Sequence, residues 1–242
     1  MIKLLTYPPM FDDPAASPFC VKAIWLLNLS GQKWERQDVL DPRKMPFAKL
    51  PVIDVAGTLI PDSDNIRAYL EQQGAEFDSG LSELDRATSR AFIRMAEEHM
   101  YFHLVLDRWA NDAVWPMIRE AYFASIPTPL RAFVASGMRR NLIKGLKAQG
   151  LARLSASGRL ARLEPDLAAI TARLWQGAFL FGDHPTAADA SVAAMLAAMQ
   201  STPTATAQTR RIAEDQVLSR YIDRAKDAMG TKISAASERL CA

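Results

Sequence analysis

Ser17-Pro18-Phe19-Cys20-Val21-Lys22 places a hydroxyl and then a proline at the point where a helix begins. Serine at an N-cap with proline at the first helical position is a strong start signal. Proline has no N–H to leave unsatisfied there, and its φ already suits a helix. Cys20, Ile24 and Leu27 then fall on one face with Val21 beside them, and Gly31 supplies the stop. Outward from this helix, Ile2-Lys3-Leu4-Leu5 reads as a short strand and residues 34–40 as a second. Residues 7–16, with Pro8, Pro9, Pro14 and Asp12-Asp13, read as a loop. The helix between the strands predicts a right-handed parallel crossover.

Residues 41–49 hold Pro42 and Pro46 and read as irregular. Leu50-Pro51-Val52 then puts a proline at the start of a short apolar strand. Ala56-Gly57 between residues 52–55 and 58–60 is a two-residue hairpin signal. Asp62-Ser63 opens a helix to residue 73 with a carboxylate and a hydroxyl, and Ile66, Tyr69 and Leu70 mark its buried face. The order β-α-β, then β-β-α, predicts a thioredoxin-like domain over residues 1–75.

From residue 82 the pattern is helical only, predicting an all-α domain over 82–230 and a tail over 231–242 with no strong signal. Phe92, Met95, His99, Phe102, Leu106 and Trp109 form one long stripe at helical spacing. Residues 130–149 form a basic amphipathic helix closed by Gly150, carrying Arg131, Arg139, Arg140, Lys144 and Lys147. That group reads as a solvated face, with acidic substrates or membranes as the other reading. Leu160, Leu163, Leu167, Ile170 and Leu174 give a further helix that Pro165 is expected to bend or divide. Thr186-Ala187-Ala188-Asp189 opens an alanine-rich buried helix with a capping-box variant. Residues 201–209 read as a polar loop, and a last helix carries Val217, Leu218, Tyr221, Ile222 and Ala225.

The chain's 242 residues are 49% hydrophobic and 23% charged, an ordinary globular balance able to bury a core without staples. A net charge of +2 gives no reason to expect nucleic acid as a partner. The two cysteines, Cys20 and Cys241, sit at opposite ends without metal-ligand spacing, and a reduced, cytoplasmic protein is expected. No apolar run approaches the ~18 residues of a membrane span, and no leader segment is read at the start of the sequence. His99 and His103 lie four apart, but no catalytic glutamate stands between them and no third ligand is evident. They read as core histidines, and no metal is expected.

The Ser17-Pro18, Leu50-Pro51 and Asp62-Ser63 elements, in this order and frame, resemble the glutathione-binding half of the glutathione transferases. The likeness covers nearly the whole chain, since that family joins a small α/β domain to an all-helical one. Ser17-Pro18-Phe19-Cys20-Val21-Lys22, Glu97-Glu98-His99-Met100-Tyr101-Phe102 and Phe181-Gly182-Asp183-His184-Pro185-Thr186 are similar to a narrower branch. That branch is related to failed-axon-connections proteins and metaxins, some members of which work in protein assembly or signalling. The resemblance implies a cis Pro51, with the Leu50 backbone offered to the cysteinyl part of glutathione. It implies Asp62 and Ser63 at the γ-glutamyl end, and Lys49 near a glutathione carboxylate. It also implies glutathione as co-substrate, a small electrophile as acceptor and a homodimer.

Such an enzyme must hold its bound thiol as thiolate near neutral pH. Lowering a thiol pKa from ~8.5 to ~6.5 requires about 2.7 kcal/mol of preferential stabilisation. A helix N-terminus supplies ~0.3–1 kcal/mol and one hydrogen bond to a charged acceptor about 1.5–3 kcal/mol. Dipole and Ser17 hydroxyl together reach the target, and the dipole alone does not. Ser17 is therefore the candidate catalytic residue, with simple helix capping as the alternative. Cys20 reads as a packed core thiol, or else as the nucleophile of a glutathione-dependent thiol reductase. Tyr7, where tyrosine-type family members carry their hydroxyl, is a further candidate, and Tyr101 is a candidate for the acceptor pocket. A non-catalytic partner-binding module of the same fold is the competing function.

Overall fold

The computed structural model describes residues 1–230. The predicted tail and Cys241 lie outside them. Strand β1 (Ile2–Thr6) pairs in parallel with β2 (Trp34–Asp38), Ile2 opposite Trp34, and α1 (Pro18–Leu29) crosses between them. β3 (Val52–Val55) runs antiparallel to β1, with Leu4 opposite Ile53, and β4 (Thr58–Pro61) completes the order β2-β1-β3-β4. Ala56 and Gly57 both have φ > 0 (52° and 89°), as the tight hairpin between β3 and β4 requires. Helix α2 (Ser63–Gln72) follows, with Ile66 and Leu70 buried.

The helical part begins with α3 (Glu83–Met95), capped by the Ser82 hydroxyl accepting from Asp85 N–H. A π-turn (Ala96–Met100) joins it to α4 (Tyr101–Trp109). Ile93, Ala96, Glu97, Met100, Leu104 and Leu106 are buried, while Phe92, Met95, His99 and Phe102 lie half-buried beside them. Of the stripe read from sequence, Leu106 is buried as expected, and Phe92, Met95, His99, Phe102 and Trp109 flank the buried face. Two helices escaped the sequence reading, α5 (Trp115–Tyr122) and α9 (Ala207–Ala213). Thr206 caps α9 by accepting from Thr209 N–H, so part of the expected polar loop is helix.

Between them, α6 (Thr128–Gln149) starts two residues earlier than read, because Pro129 is harmless in a first turn. α7 (Ala156–Leu174) runs undivided through Pro165. α8 (Ala187–Gln200) is buried along nearly its whole length behind the Thr186–Asp189 capping box. α10 (Gln216–Gly230) closes the described chain. Nine of the twelve residues of α1 are buried, and α1 packs on both the sheet and α8, so one hydrophobic core runs through both domains.

Candidate functional site

The Leu50-Pro51 peptide bond is cis, just before the β3 ladder begins at Val52. The Pro51 carbonyl accepts from Asp62 N–H at 3.1 Å, which ties this bend to the mouth of α2. Asp62 sits at φ 78°, a left-handed conformation unusual for a residue with a side chain, and its carboxylate caps α2 by accepting from Asp64 N–H at 2.9 Å. Ser63 is buried at the first turn of α2. These groups, with exposed Lys49 and half-buried Phe19, line a cleft of about 120 Å³. Sequence reasoning placed five of them together, and the fold does so too.

Ser17 has the extended backbone of an N-cap (φ −118°, ψ 132°), but its hydroxyl bonds no backbone N–H of α1. The simple capping role is therefore not the one this hydroxyl plays. It faces Cys20 instead, and Ser17 is half-buried. Cys20 is 0% exposed. Burial pushes its thiol pKa up, outweighing hydrogen bonds with Thr6, the Tyr7 backbone and Ser17 that pull it down. A thiol held protonated and out of solvent is a poor nucleophile.

Tyr7 follows β1 directly, and its hydroxyl is pushed up to about 12, first by burial and then by neighbouring Cys20, Tyr101 and Tyr122. Tyr101 stands edge-on to Phe19 at 4.9 Å between ring centroids, so α4 meets α1 beside the cleft. Burial raises its pKa to about 12 as well. Neither phenol gives up a proton readily near neutral pH.

The loop over residues 8–16 is pinned at several points. Arg36 donates to the Pro14 carbonyl at 2.8 Å and the Tyr7 carbonyl at 2.9 Å. The buried Asp13 carboxylate accepts from the Ser201 hydroxyl at 2.5 Å. The Tyr122 hydroxyl on α5 donates to the Ala16 carbonyl at 3.2 Å and accepts from Arg108 at 2.9 Å. The residue before Ser17 is thereby latched to the helical domain. Arg36 escaped the sequence reading, since an arginine in a strand of alternating charge gives no sign of which carbonyls it will meet.

Lys22 was also missed, although it stands in the decisive stretch. Its ammonium is buried and donates to Glu97 at 2.6 Å and Asp64 at 2.8 Å. Ser191 donates to the same Glu97 oxygen at 2.9 Å, and Arg90 and Arg94 meet the other Asp64 oxygen. Burial alone would raise the Asp64 pKa, but Lys22, Arg90 and Arg94 hold it below the usual range. The network fixes the first turn of α2, where Ser63 sits. A lysine at a helix face neighbouring Val21 gave no hint of two acidic partners 42 and 75 residues away.

His99 and His103 come together with Nε2 atoms 3.4 Å apart, and Asp166 of α7 meets His99 Nδ1. His103 is buried in the core as read, whereas His99 is half-buried, with Asp166 against its ring. No helix among the described residues is long and apolar enough to cross a membrane.

A four-stranded α/β domain with a cis-proline at the third strand, joined to an all-helical domain with a buried capping box, defines a two-part fold with a thioredoxin-like first half. The chain belongs to the glutathione transferase family. Residues 18–114 match the glutathione S-transferase N-terminal domain and residues 148–224 the glutathione S-transferase C-terminal domain. The chain is 31% identical to an isoprene-epoxide--glutathione S-transferase of Rhodococcus sp. (strain AD45), over 79% of this chain and 84% of the relative. It is 30% identical to Failed axon connections of Drosophila melanogaster over 76% of this chain, and 23% identical to human metaxin-2 over 61%. It spans only 46% and 56% of those two relatives. The fold matches the glutathione S-transferase of Ceriporiopsis subvermispora solved in complex with glutathione, with a TM-score of 0.65 at 17% identity, over 96% of this chain and 99% of that one.

Proposed function

We propose that the protein binds glutathione in the cleft between Lys49, Leu50, Pro51, Asp62 and Ser63 and conjugates its thiolate to a small electrophile. The observation that carries this reading is the position of Ser63. It lies at the N-terminus of α2, beside the cis-Pro51 bend and within the same cleft. A carboxylate placed there would meet a hydroxyl, helix N–H groups and the positive end of the helix dipole. Asp62 keeps one carboxylate oxygen uncommitted by its cap and would take the γ-glutamyl amino group, and Lys49 the opposite carboxylate. Ser17, whose hydroxyl is free of capping duty, would hold the thiolate, with Tyr7 and Tyr101 as donors on the acceptor side. The setting would be the cytoplasm, and the assembly a homodimer.

The Rhodococcus relative's name directs the first assay to an epoxide. Calorimetric titration with glutathione, followed by a conjugation assay with a small epoxide and with an activated aryl halide, tests the reading. Micromolar to millimolar binding with turnover is the expected result, and absence of binding would sink it. Binding without turnover would favour the partner-binding module, which the similarity to Failed axon connections and metaxin-2 supports. The buried, protonated Cys20 weighs against a thiol reductase.

A further inference from the structure

Residues 115–147 lie between the two family-model matches and carry α5 and most of α6. We propose that the outer face of α6 docks on an anionic lipid surface. The inner face of this helix is accounted for: Ala135 packs with Trp115, Ile118 and Phe123, and Leu146 packs with Leu106 and Leu151. The opposite face is apolar too. Leu130, Val134 and Met138, in steps of four, are exposed together with Phe133, which is 76% exposed.

The charges on the helix are of one sign. Its 22 residues hold Arg131, Arg139, Arg140, Lys144 and Lys147 and no carboxylate. Arg139 is occupied by the Trp109 carbonyl and Asp112, and Arg131 by Glu120. Arg140, Lys144 and Lys147 have no ion-pair partner among the described residues. At 100° and 1.5 Å per residue these three follow the apolar residues along the Phe133 side of the helix, toward its C-terminus. The result is an exposed apolar patch continued by a row of unpaired cations, a pattern that suits a bilayer interface with the cations against phosphate headgroups. A second copy of the chain is a poorer occupant. Two-fold pairing over the whole face would set the cations against each other or against the partner's apolar patch, with no acid on the helix to answer them. The only carboxylate in residues 115–149, Glu120, is held between Arg119 and Arg131.

The test is co-sedimentation of the full chain with vesicles of phosphatidylglycerol and phosphatidylcholine, against vesicles of phosphatidylcholine alone. The expected result is binding to the anionic vesicles only, weakened as salt rises. Phe133→Asp should lower partitioning by about tenfold or more through lost apolar burial. Lys144→Glu with Lys147→Glu should do the same through charge. Both substitutions are exposed, and unchanged thermal unfolding and glutathione affinity would show that the fold is intact. Failure to bind anionic vesicles, equal binding to neutral ones, or binding untouched by both variants would overturn the proposal. So would a dimer by light scattering that Phe133→Asp converts to monomer without any vesicle binding in the parent, which would assign the face to a second copy. Capture of an acidic protein by this face in a chain that ignores vesicles would overturn it equally.

Discussion

Lys22 Nζ lies 2.6 Å from Glu97 Oε1, an ion pair inside the protein that joins the first helix of the α/β domain to the π-turn of the helical one. Removing one member leaves the other charged and desolvated. Lys22→Met should therefore cost about 3–5 kcal/mol, and the double variant Lys22→Met/Glu97→Gln should cost clearly less. Chemical denaturation of the two variants checks this. Equal losses would mean that Glu97 reaches water once Lys22 is gone.

Ser17→Ala separates chemistry from stability. Because the Ser17 hydroxyl caps nothing, the substitution should change folding stability by less than the ~1 kcal/mol typical of a lost cap. The pKa of bound glutathione should rise by about one to two units as one charge-assisted hydrogen bond is lost. Conjugation should then fall near neutral pH and recover at alkaline pH. Thiolate absorbance in a pH titration reads the effect, and a large stability loss with an unmoved thiol would return Ser17 to a structural role.

Ser63→Ala removes a hydroxyl at the mouth of α2, inside the cleft. Glutathione binding should weaken by about 1.5–3 kcal/mol, while thermal unfolding stays close to the parent. Calorimetry on both proteins decides. An unchanged affinity would mean that the helix N–H groups alone hold the carboxylate.

His103 supplies a pH dependence. Burial, then His99, Arg159 and Arg162, depress its pKa from 6.5 to about 4. The unfolded chain takes up this proton near pH 6.5 and the folded one only near pH 4. Its contribution is therefore complete above pH 6.5 and is lost as pH falls to about 4, by about 3 kcal/mol. Urea unfolding across that range should show a shallower slope for His103→Gln than for the parent. Parallel slopes would rule out a neutral buried His103.

The α/β half of this fold is legible because its signals are local. Ser17-Pro18, Ala56-Gly57 and Asp62-Ser63 each declare a turn or a helix start through their own backbone chemistry, and Thr186 with Asp189 does so across four residues. What the sequence withheld is long-range. The partners of Lys22 and Arg36 come from other elements, and which of Phe92 and Ile93, or Met95 and Ala96, turns fully inward is decided by the helices packed against them. Helix α5 went unread because eight residues opening Trp115-Pro116 resemble a loop until Val114, Ile118 and Phe123 are seen to form a small core with α6.

The all-round burial of α1 has a consequence for what a domain means here. Trp25, Leu26 and Leu27 are sealed partly by the sheet and partly by helices more than 150 residues later in the chain, and Asn28 donates to the Met229 carbonyl at 2.7 Å. Cut away from the helical part, the α/β half would present a strip of bare apolar surface to water and lose Glu97, one of the two acids that answer Lys22. The two halves are distinct in architecture and inseparable in thermodynamics. The chain should melt in a single cooperative step, and the cleft at Ser63 can persist only while the helices behind α1 are folded.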